Sequence, residues 1–132
     1  MTLVVADTSA WARLEQRSVA RSLGEAIQAN VLAITVPITL ELLRSARDAR
    51  ELQTLSRRYE ALHEIGLTRD IGSRAKDVQA LLAARGYHRG PSPTDLLTAA
   101  AAEAVGAELW HCDRHFELIA AVTGQPERRL GR

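Results

Sequence analysis

Short apolar runs that alternate with longer amphipathic segments are the feature that most restricts the fold of this chain. Three runs are strand-like, at residues 2–6, 31–36 and 107–112, and a weaker one spans residues 64–67. Segments with apolar residues about 3.6 positions apart, typical of helices, connect them. Parallel strands need such crossover connections, so this alternation predicts a central parallel sheet with helices on both faces. We therefore expect a three-layer α/β/α fold whose parallel sheet has four or five strands.

Helix boundaries follow from capping residues and helix breakers. Thr94 is the predicted N-cap of the helix that begins at Asp95, and glycines end two of the helices. Residues from Thr123 onward are polar, and we expect them to be loosely ordered. Helices are predicted over residues 10–28 with a break near Ser18, and over 38–45, 48–63, 68–85, 95–105 and 114–122.

Length and composition indicate one globular domain. A chain of 132 residues is long enough to bury a core, so we expect a single domain over residues 1–132. The apolar stretches are shorter than the roughly 18 residues that suggest a membrane span, and no basic segment typical of a signal peptide precedes the first strand. The only cysteine, Cys112, cannot form an internal disulfide. We therefore expect a cytoplasmic protein that does not associate with membranes.

Four acidic residues stand where predicted strands end or helices begin, namely Asp7, Glu41, Asp95 and Asp113. The carboxyl ends of parallel strands share one edge of a sheet, and ligands bind at that edge. Clustered carboxylates repel one another unless a hard cation holds them, and Mg²⁺ or Mn²⁺ prefers such oxygen ligands. The pattern therefore indicates a divalent-metal site.

Each of these acids also has a simpler explanation. Asp113 could cap a helix, and Asp95 could interact with a helix dipole. Asp7 could cap as well, but either of the two hydroxyl residues that follow could replace it, which favours a site role for Asp7. Glu41 lies among apolar residues, a pattern that in isolation is typical of an exposed position on an amphipathic helix.

Several classes of site are excluded by missing motifs. The chain contains no phosphate-binding glycine loop, no Cys/His zinc pattern and no G-x-S-x-G nucleophile motif. A phospho-receiver domain needs a lysine at a late strand end, whereas the one lysine, Lys76, lies within a predicted helix. A phosphatase of the haloacid dehalogenase type needs an acid where Ser9 stands. His111 and His115 flank Asp113 and could form a metal cluster with it, although two histidines and one acid are weak evidence.

The charge balance permits a nucleic-acid partner. The net charge is +1, from 17 basic and 16 acidic residues. If the four acids share one pocket, the rest of the surface is net positive. Nearly all the basic residues are arginines, whose guanidinium groups match phosphate geometry. A genome rich in arginine and alanine accounts for the same composition without such a partner.

Four segments resemble, in order, the motifs of PIN domains: Val4–Trp11, Thr39–Leu43, Pro93–Ala101 and Leu109–Ala120. Their order and spacing are similar to those of the VapC group, the toxins of bacterial type II toxin–antitoxin systems. The resemblance covers nearly the whole chain. Each motif is loose by itself, whereas the four in order are specific.

The resemblance implies a PIN-like fold and an endoribonuclease that depends on Mg²⁺ or Mn²⁺. Its catalytic residues map onto Asp7, Glu41, Asp95 and Asp113, of which Asp7, Asp95 and Asp113 are the implied metal ligands. Glu41 is thereby reassigned from the surface to the site, binding metal through water or helping to deprotonate the attacking water. Arg114 is a candidate phosphate contact. The alternative is a non-catalytic PIN-fold module that binds RNA or protein.

The resemblance also implies an RNA substrate, a cognate VapB-type antitoxin and a homodimer. Two positions depart from the family pattern, since His111 stands where Thr or Ser is usual and His115 where Asp is frequent. The expected contact surface of the antitoxin comprises apolar residues of the N-terminal helices, although burial in the core is a simpler explanation for the leucines. These residues are Trp11, Leu14, Leu40 and Leu43.

Overall fold

The computed structural model describes residues 2–132, which form five strands and seven helices around one sheet. The strands are β1 (Val4–Ala6), β2 (Leu32–Ile34), β3 (His63–Glu64), β4 (Glu108–His111) and β5 (Glu127–Arg129). The helices are α1 (Thr8–Trp11), α2 (Arg17–Gln28), α3 (Val36–Leu43), α4 (Ala49–Glu60), α5 (Arg69–Ala83), α6 (Pro93–Ala104) and α7 (Arg114–Thr123).

All strand pairs are parallel, and the strand order is β3-β2-β1-β4-β5. The central strand β1 pairs with β4, with Ala6 opposite Trp110. The pairing extends past the strand end, because the N–H of Asp7 donates to the carbonyl of Trp110 at 2.9 Å. Residues that follow β1 and β4 therefore meet at one edge, which confirms the predicted parallel α/β architecture.

The core lies on both faces of this sheet because alternate residues of β1 point to opposite sides. Val5 packs in the larger cluster, with side chains of α5, α6 and α7, whereas Val4 and Ala6 pack in a smaller cluster with α2. Helix α6 contributes the run Ala99–Ala102, which is buried. Its small side chains let α6 pack closely against the sheet, and α6 is the helix that carries Asp95.

The predicted loose tail is wrong, because residues 127–129 form β5 at the edge of the sheet. Leu109 N–H donates to the carbonyl of Pro126 at 3.0 Å, and Leu130 N–H donates to that of His111 at 2.8 Å. The Glu-Arg-Arg sequence of β5 has no apolar alternation to reveal a strand. Charged residues are nevertheless usual on an edge strand, where they discourage pairing with other chains.

Other predicted boundaries were also wrong in detail. The first helical segment breaks earlier than Ser18 and gives two helices, α1 and α2, joined by residues 12–16. Helix α6 begins earlier than predicted, with Ser92 and not Thr94 as its N-cap. The weak third strand is shorter and earlier than residues 64–67. Across residues 2–132, no helix combines the length and apolar character needed to cross a membrane.

Candidate metal site

Asp7 is held directly past β1 and is almost completely buried, with 3% of its surface exposed. Its Oδ2 accepts a hydrogen bond from Ser9 N–H at 2.9 Å, so Asp7 is the N-cap of α1. Asp7 is thus the cap itself, and the hydroxyl residues that follow do not replace it in this role. The other oxygen, Oδ1, is buried and has no hydrogen-bond partner within residues 2–132.

The electrostatic environment of Asp7 opposes its charge. Burial raises the pKa of Asp7, and the nearby negative charge of Asp95 raises it further. Hydrogen bonds from Ser9 act in the opposite direction. A buried carboxylate oxygen without a partner is costly. This oxygen therefore needs either a proton or a cation.

Asp95 is positioned by the start of α6. Its N–H donates to Ser92 Oγ at 3.1 Å, and its Oδ2 accepts from Ser92 N–H at 2.9 Å. This reciprocal arrangement is a capping box, with Asp95 at the third helical position. The carboxylate is half-buried, and its negative charge contributes to the raised pKa of Asp7.

Asp113 and His115 complete the cluster from the start of α7. Asp113 is the N-cap of this helix, since its Oδ1 accepts from His115 N–H at 2.9 Å. His115 Nδ1 lies 3.4 Å from Asp113 Oδ1 and 3.7 Å from Asp95 Oδ2. Asp95, Asp113 and His115 each offer one ligand atom, and these atoms lie within 4.8 Å of one another.

This donor set fits a divalent cation. Two carboxylates and an imidazole converge, and outside this group Asp7 keeps one buried carboxylate oxygen unpaired within residues 2–132. Carboxylate oxygens suit Mg²⁺ and Mn²⁺, whereas imidazole is a poorer ligand for Mg²⁺. The sequence suggested a metal cluster of His111, Asp113 and His115. The structure contains only part of it, because His111 is not a member.

His111 instead supports the backbone of Asp113. Its ring is fully buried, and its Nδ1 accepts the N–H of Asp113 at 3.2 Å. An atom that accepts from an N–H carries no proton, so Nε2 is the protonated nitrogen. Nε2 then donates to Glu127 Oε2 at 2.5 Å. With both nitrogens engaged, His111 has none left for a metal.

Sequence reasoning missed Glu127 because it lies in the tail that was expected to be loose. The parallel pairing of β4 with β5 aligns His111 with Arg129, and this places Glu127 within reach of the His111 ring. A polar edge strand leaves no clear pattern in a single sequence. An acid near a buried histidine in the finished sheet can be recognised only once β5 is placed.

Glu41 lies apart from the group formed by Asp95, Asp113 and His115 in the described structure. It is exposed on α3 and lines an open cavity of 490 Å³. Thr8, the residue after Asp7, lines the same cavity. The structure therefore places Glu41 in contact with solvent, on a cavity that it shares with the residue that follows Asp7.

Comparison with known proteins adds the family. The model of the PIN domain matches residues 4–122. Ribonuclease VapC18 of Mycobacterium tuberculosis is 38% identical over 122 residues, which cover 91% of this chain and 89% of that relative. The chain belongs to the VapC group of PIN-domain ribonucleases. This confirms the resemblance drawn from the four motifs.

A further relative agrees with membership of the VapC group, and a solved structure shows the same fold. Ribonuclease VapC51 of Mycobacterium tuberculosis is 42% identical over 120 residues, covering 91% of this chain and 87% of that relative. The DNA-bound VapBC of Salmonella typhimurium has a TM-score of 0.79 and covers 99% of this chain and 100% of its own. At 17% identity this likeness shows the fold alone, and it confirms the predicted PIN-like architecture.

Proposed function

We propose that this VapC-family chain, a single PIN domain, is the endoribonuclease toxin of a type II toxin–antitoxin pair. It hydrolyses RNA phosphodiester bonds with Mg²⁺ or Mn²⁺ held by Asp7, Asp95 and Asp113, and His115 is an additional ligand. The observation that supports this proposal is the cluster of Asp95, Asp113 and His115, together with a buried oxygen of Asp7 that has no hydrogen-bond partner within residues 2–132. The names of the relatives, ribonucleases VapC18 and VapC51, support the same reaction class.

The proposed role of each acidic residue follows from its burial and its hydrogen bonds. A divalent cation bound there supplies Lewis-acid stabilisation of the phosphate and a more acidic water. Asp7, Asp95 and Asp113 are pre-oriented, because each uses one oxygen as a helix cap. Glu41 is exposed at the neighbouring cavity, where it can accept the proton of the attacking water. This assignment favours an enzyme over a non-catalytic RNA- or protein-binding module, since all four acids are present.

An apolar groove on this chain is the surface that we propose for the antitoxin. The groove has a volume of 680 Å³ and is lined by residues of α1, α2 and α4 and of the segments that adjoin them, among them Trp11, Leu14, Ile27, Leu55 and Tyr59. Leu14 and Ile27 are each about half exposed, at 47% and 48%. Apolar surface of this kind marks a protein-binding site. A VapB-type antitoxin segment is the occupant that we propose, in keeping with the VapBC complexes of similar fold.

The groove contains half of the surface expected from the sequence. Trp11 and Leu14 line it, whereas Leu40 and Leu43 do not. Leu40 is 61% exposed on α3, outside the groove. Trp11 and Leu14 also line the cavity that contains Glu41, so a bound antitoxin can extend toward the acids. The homodimer and the cytoplasmic location stay proposals that rest on the family.

A nuclease assay with a matched variant tests the catalytic proposal. The chain is purified free of antitoxin and incubated with RNA in Mg²⁺, Mn²⁺ or EDTA. We expect cleavage only with metal, and none by Asp7→Asn, whose amide keeps the shape and the capping oxygen of Asp7. Metal-independent cleavage, or full activity of a folded Asp7→Asn protein, contradicts the assignment. Co-expression with the adjacent small open reading frame should also restore growth.

A further inference from the structure

A second cavity adjoins the acidic cluster at His115. It has a volume of 450 Å³ and lies between the loop that connects α5 to α6 and the first turns of α7. It is lined by Gly86, Tyr87, Gly90, Arg114, His115, Glu117 and Leu118. Because His115 belongs to both the cavity and the cluster, whatever fills the cavity lies next to the proposed reaction centre.

Two glycines shape this cavity. Gly86 has a φ of +77°, a conformation that suits glycine, and it ends α5 so that Tyr87 N–H returns to the carbonyl of Leu82 at 2.9 Å. Gly90 lies against His115, since a Cβ atom at position 90 would stand 3.4 Å from His115 Cδ2. A larger residue at position 90 would therefore press on the imidazole or enter the cavity.

The cavity combines an aromatic ring with unpaired positive charge. Tyr87 is 50% exposed although its backbone is anchored to the end of α5. Arg114 is exposed and forms no ion pair within residues 2–132, and the same is true of Arg89 on the loop. The one acid of the lining, Glu117, is occupied by Arg129 at 2.7 Å.

Single-stranded nucleic acids are bound by this combination of groups. Bases stack on exposed aromatic rings, and arginines contact the phosphates between them. The volume also falls within the roughly 300–1,000 Å³ of small-ligand sites. A substrate whose phosphate lies at the acids must continue along the surface on both sides. The cavity that contains His115 lies on one of these two paths.

We propose that this cavity binds the nucleobase of a nucleotide next to the scissile phosphate. The base stacks on Tyr87, and Arg114 contacts the adjoining phosphate. The proposal rests on the proposed RNA hydrolysis and adds a substrate subsite to it. Stacking is tolerant of base identity, so the subsite contributes affinity and register more than sequence selection.

Steady-state kinetics on a short single-stranded RNA, cut by the wild type at a mapped position, test the subsite. Tyr87→Ala is expected to raise KM by roughly 5- to 150-fold, the range that one stacked base contributes, with little change in kcat. Tyr87→Phe keeps the ring and should behave like the wild type. Leu67→Ala, at an apolar residue of similar exposure that lines none of the cavities described, is the matched control.

Substrates with one abasic nucleotide locate the stacked base. For the wild type, we expect one abasic position beside the cut to raise KM as much as Tyr87→Ala does. For Tyr87→Ala, the same abasic substrate should cause no further rise in KM. Arg114→Gln has a separate readout, because losing one phosphate contact should reduce the slope of log KM against log salt by about 0.7.

The outcomes separate the subsite from the reaction. A wild type that cuts no RNA in Mg²⁺ or Mn²⁺ overturns both proposals. A wild type that cuts RNA, with an unchanged KM in Tyr87→Ala, overturns the nucleobase site alone. If Tyr87→Ala instead weakens antitoxin binding while KM stays constant, the cavity belongs to the protein partner and the nucleobase assignment is wrong.

Discussion

His111 holds the backbone of Asp113 through a buried hydrogen bond, with 3.2 Å between the Asp113 nitrogen and the Nδ1 atom. Glu127 in turn accepts from the other nitrogen of the ring, Nε2. The last strand of the sheet therefore orients the loop that carries a proposed metal ligand. The side chain of His111 thus links the site to β5.

Removing the acceptor on β5 should loosen this loop. In Glu127→Ala the buried Nε2–H of His111 loses its partner, at a cost of about 1–3 kcal/mol in the free energy of unfolding. Asp113 should then be less well placed, and both cleavage and Mn²⁺ affinity should fall. Glu127→Gln keeps an acceptor oxygen and is the matched control. Urea unfolding and Mn²⁺ titration measure the two effects. Identical behaviour of both variants would contradict a role for the hydrogen bonds that link Glu127, His111 and Asp113.

The positions of Asp7 and Asp113 could be predicted from sequence because they depend on local patterns. Each follows an apolar strand, and parallel strands bring their carboxyl ends to one edge. The role of Glu127 could not be predicted in this way, because a short, polar edge strand is specified by its pairing with β4 and not by its own residues. The position of Glu127 thus depends on the pairing of β5 with β4, which the local sequence does not reveal.

The helix caps show a second limit of the sequence. Thr94 and Ser92 are both good N-caps, and the choice between them depends on backbone angles set by the preceding loop. The structure selects Ser92, which places Asp95 at the third position of α6 and turns its carboxylate back toward the N-cap. The acid was identified from sequence, whereas its orientation required the fold.

Asp7→Asn should stabilise the metal-free protein at neutral pH. Burial raises the pKa of Asp7 above its ordinary value of 3.8, so ionisation of this carboxyl is less favourable in the native than in the unfolded state. The asparagine removes that charge and keeps the cap, whereas Asp7→Ala would also lose about 1 kcal/mol of capping. Thermal melts in EDTA should show a higher Tm for Asp7→Asn than for the wild type.

The pH dependence of that gain has a defined sign. Between 3.8 and the raised pKa, native Asp7 holds a proton that the unfolded chain has released, so wild-type stability falls as pH rises through this window. The advantage of Asp7→Asn should therefore be absent below pH 3.8, grow through the window and become constant above it. Urea unfolding in EDTA at a series of pH values measures it, and a gain that grows on acidification contradicts the prediction.

Bound metal should stabilise the fold, and the contribution of His115 to this stabilisation should differ between Mn²⁺ and Mg²⁺. A ligand that binds only the native state raises stability by about 2.7 kcal/mol at one hundred times its Kd. EDTA should reverse the rise in Tm, and Asp95→Asn should reduce it for both metals. His115→Ala should reduce the Mn²⁺ effect more than the Mg²⁺ effect, because Mg²⁺ prefers oxygen ligands. Equal losses for both metals would place His115 outside the coordination.

Glu41 should matter for the rate and little for metal binding or folding. Its side chain is exposed, so Glu41→Gln is expected to change the free energy of unfolding by no more than about 0.5 kcal/mol. Loss of a general base lowers the rate by roughly 100- to 10,000-fold. Calorimetry with Mn²⁺, together with kcat on RNA, distinguishes this role from direct ligation. A large loss of Mn²⁺ affinity would make Glu41 a ligand instead of a base.

The apolar groove predicts which leucine the antitoxin contacts. Leu14 lines the groove and is 47% exposed, whereas Leu40 is 61% exposed and lies outside it. A charge at position 14 would be buried without a partner on binding, so Leu14→Asp should weaken antitoxin affinity by at least about tenfold. Leu40→Asp introduces the same charge on the surface and should bind normally. Calorimetric titration with the purified antitoxin measures both, and co-expression should rescue growth for Leu40→Asp but not for Leu14→Asp. The groove is the wrong surface if Leu40→Asp loses binding while Leu14→Asp keeps it.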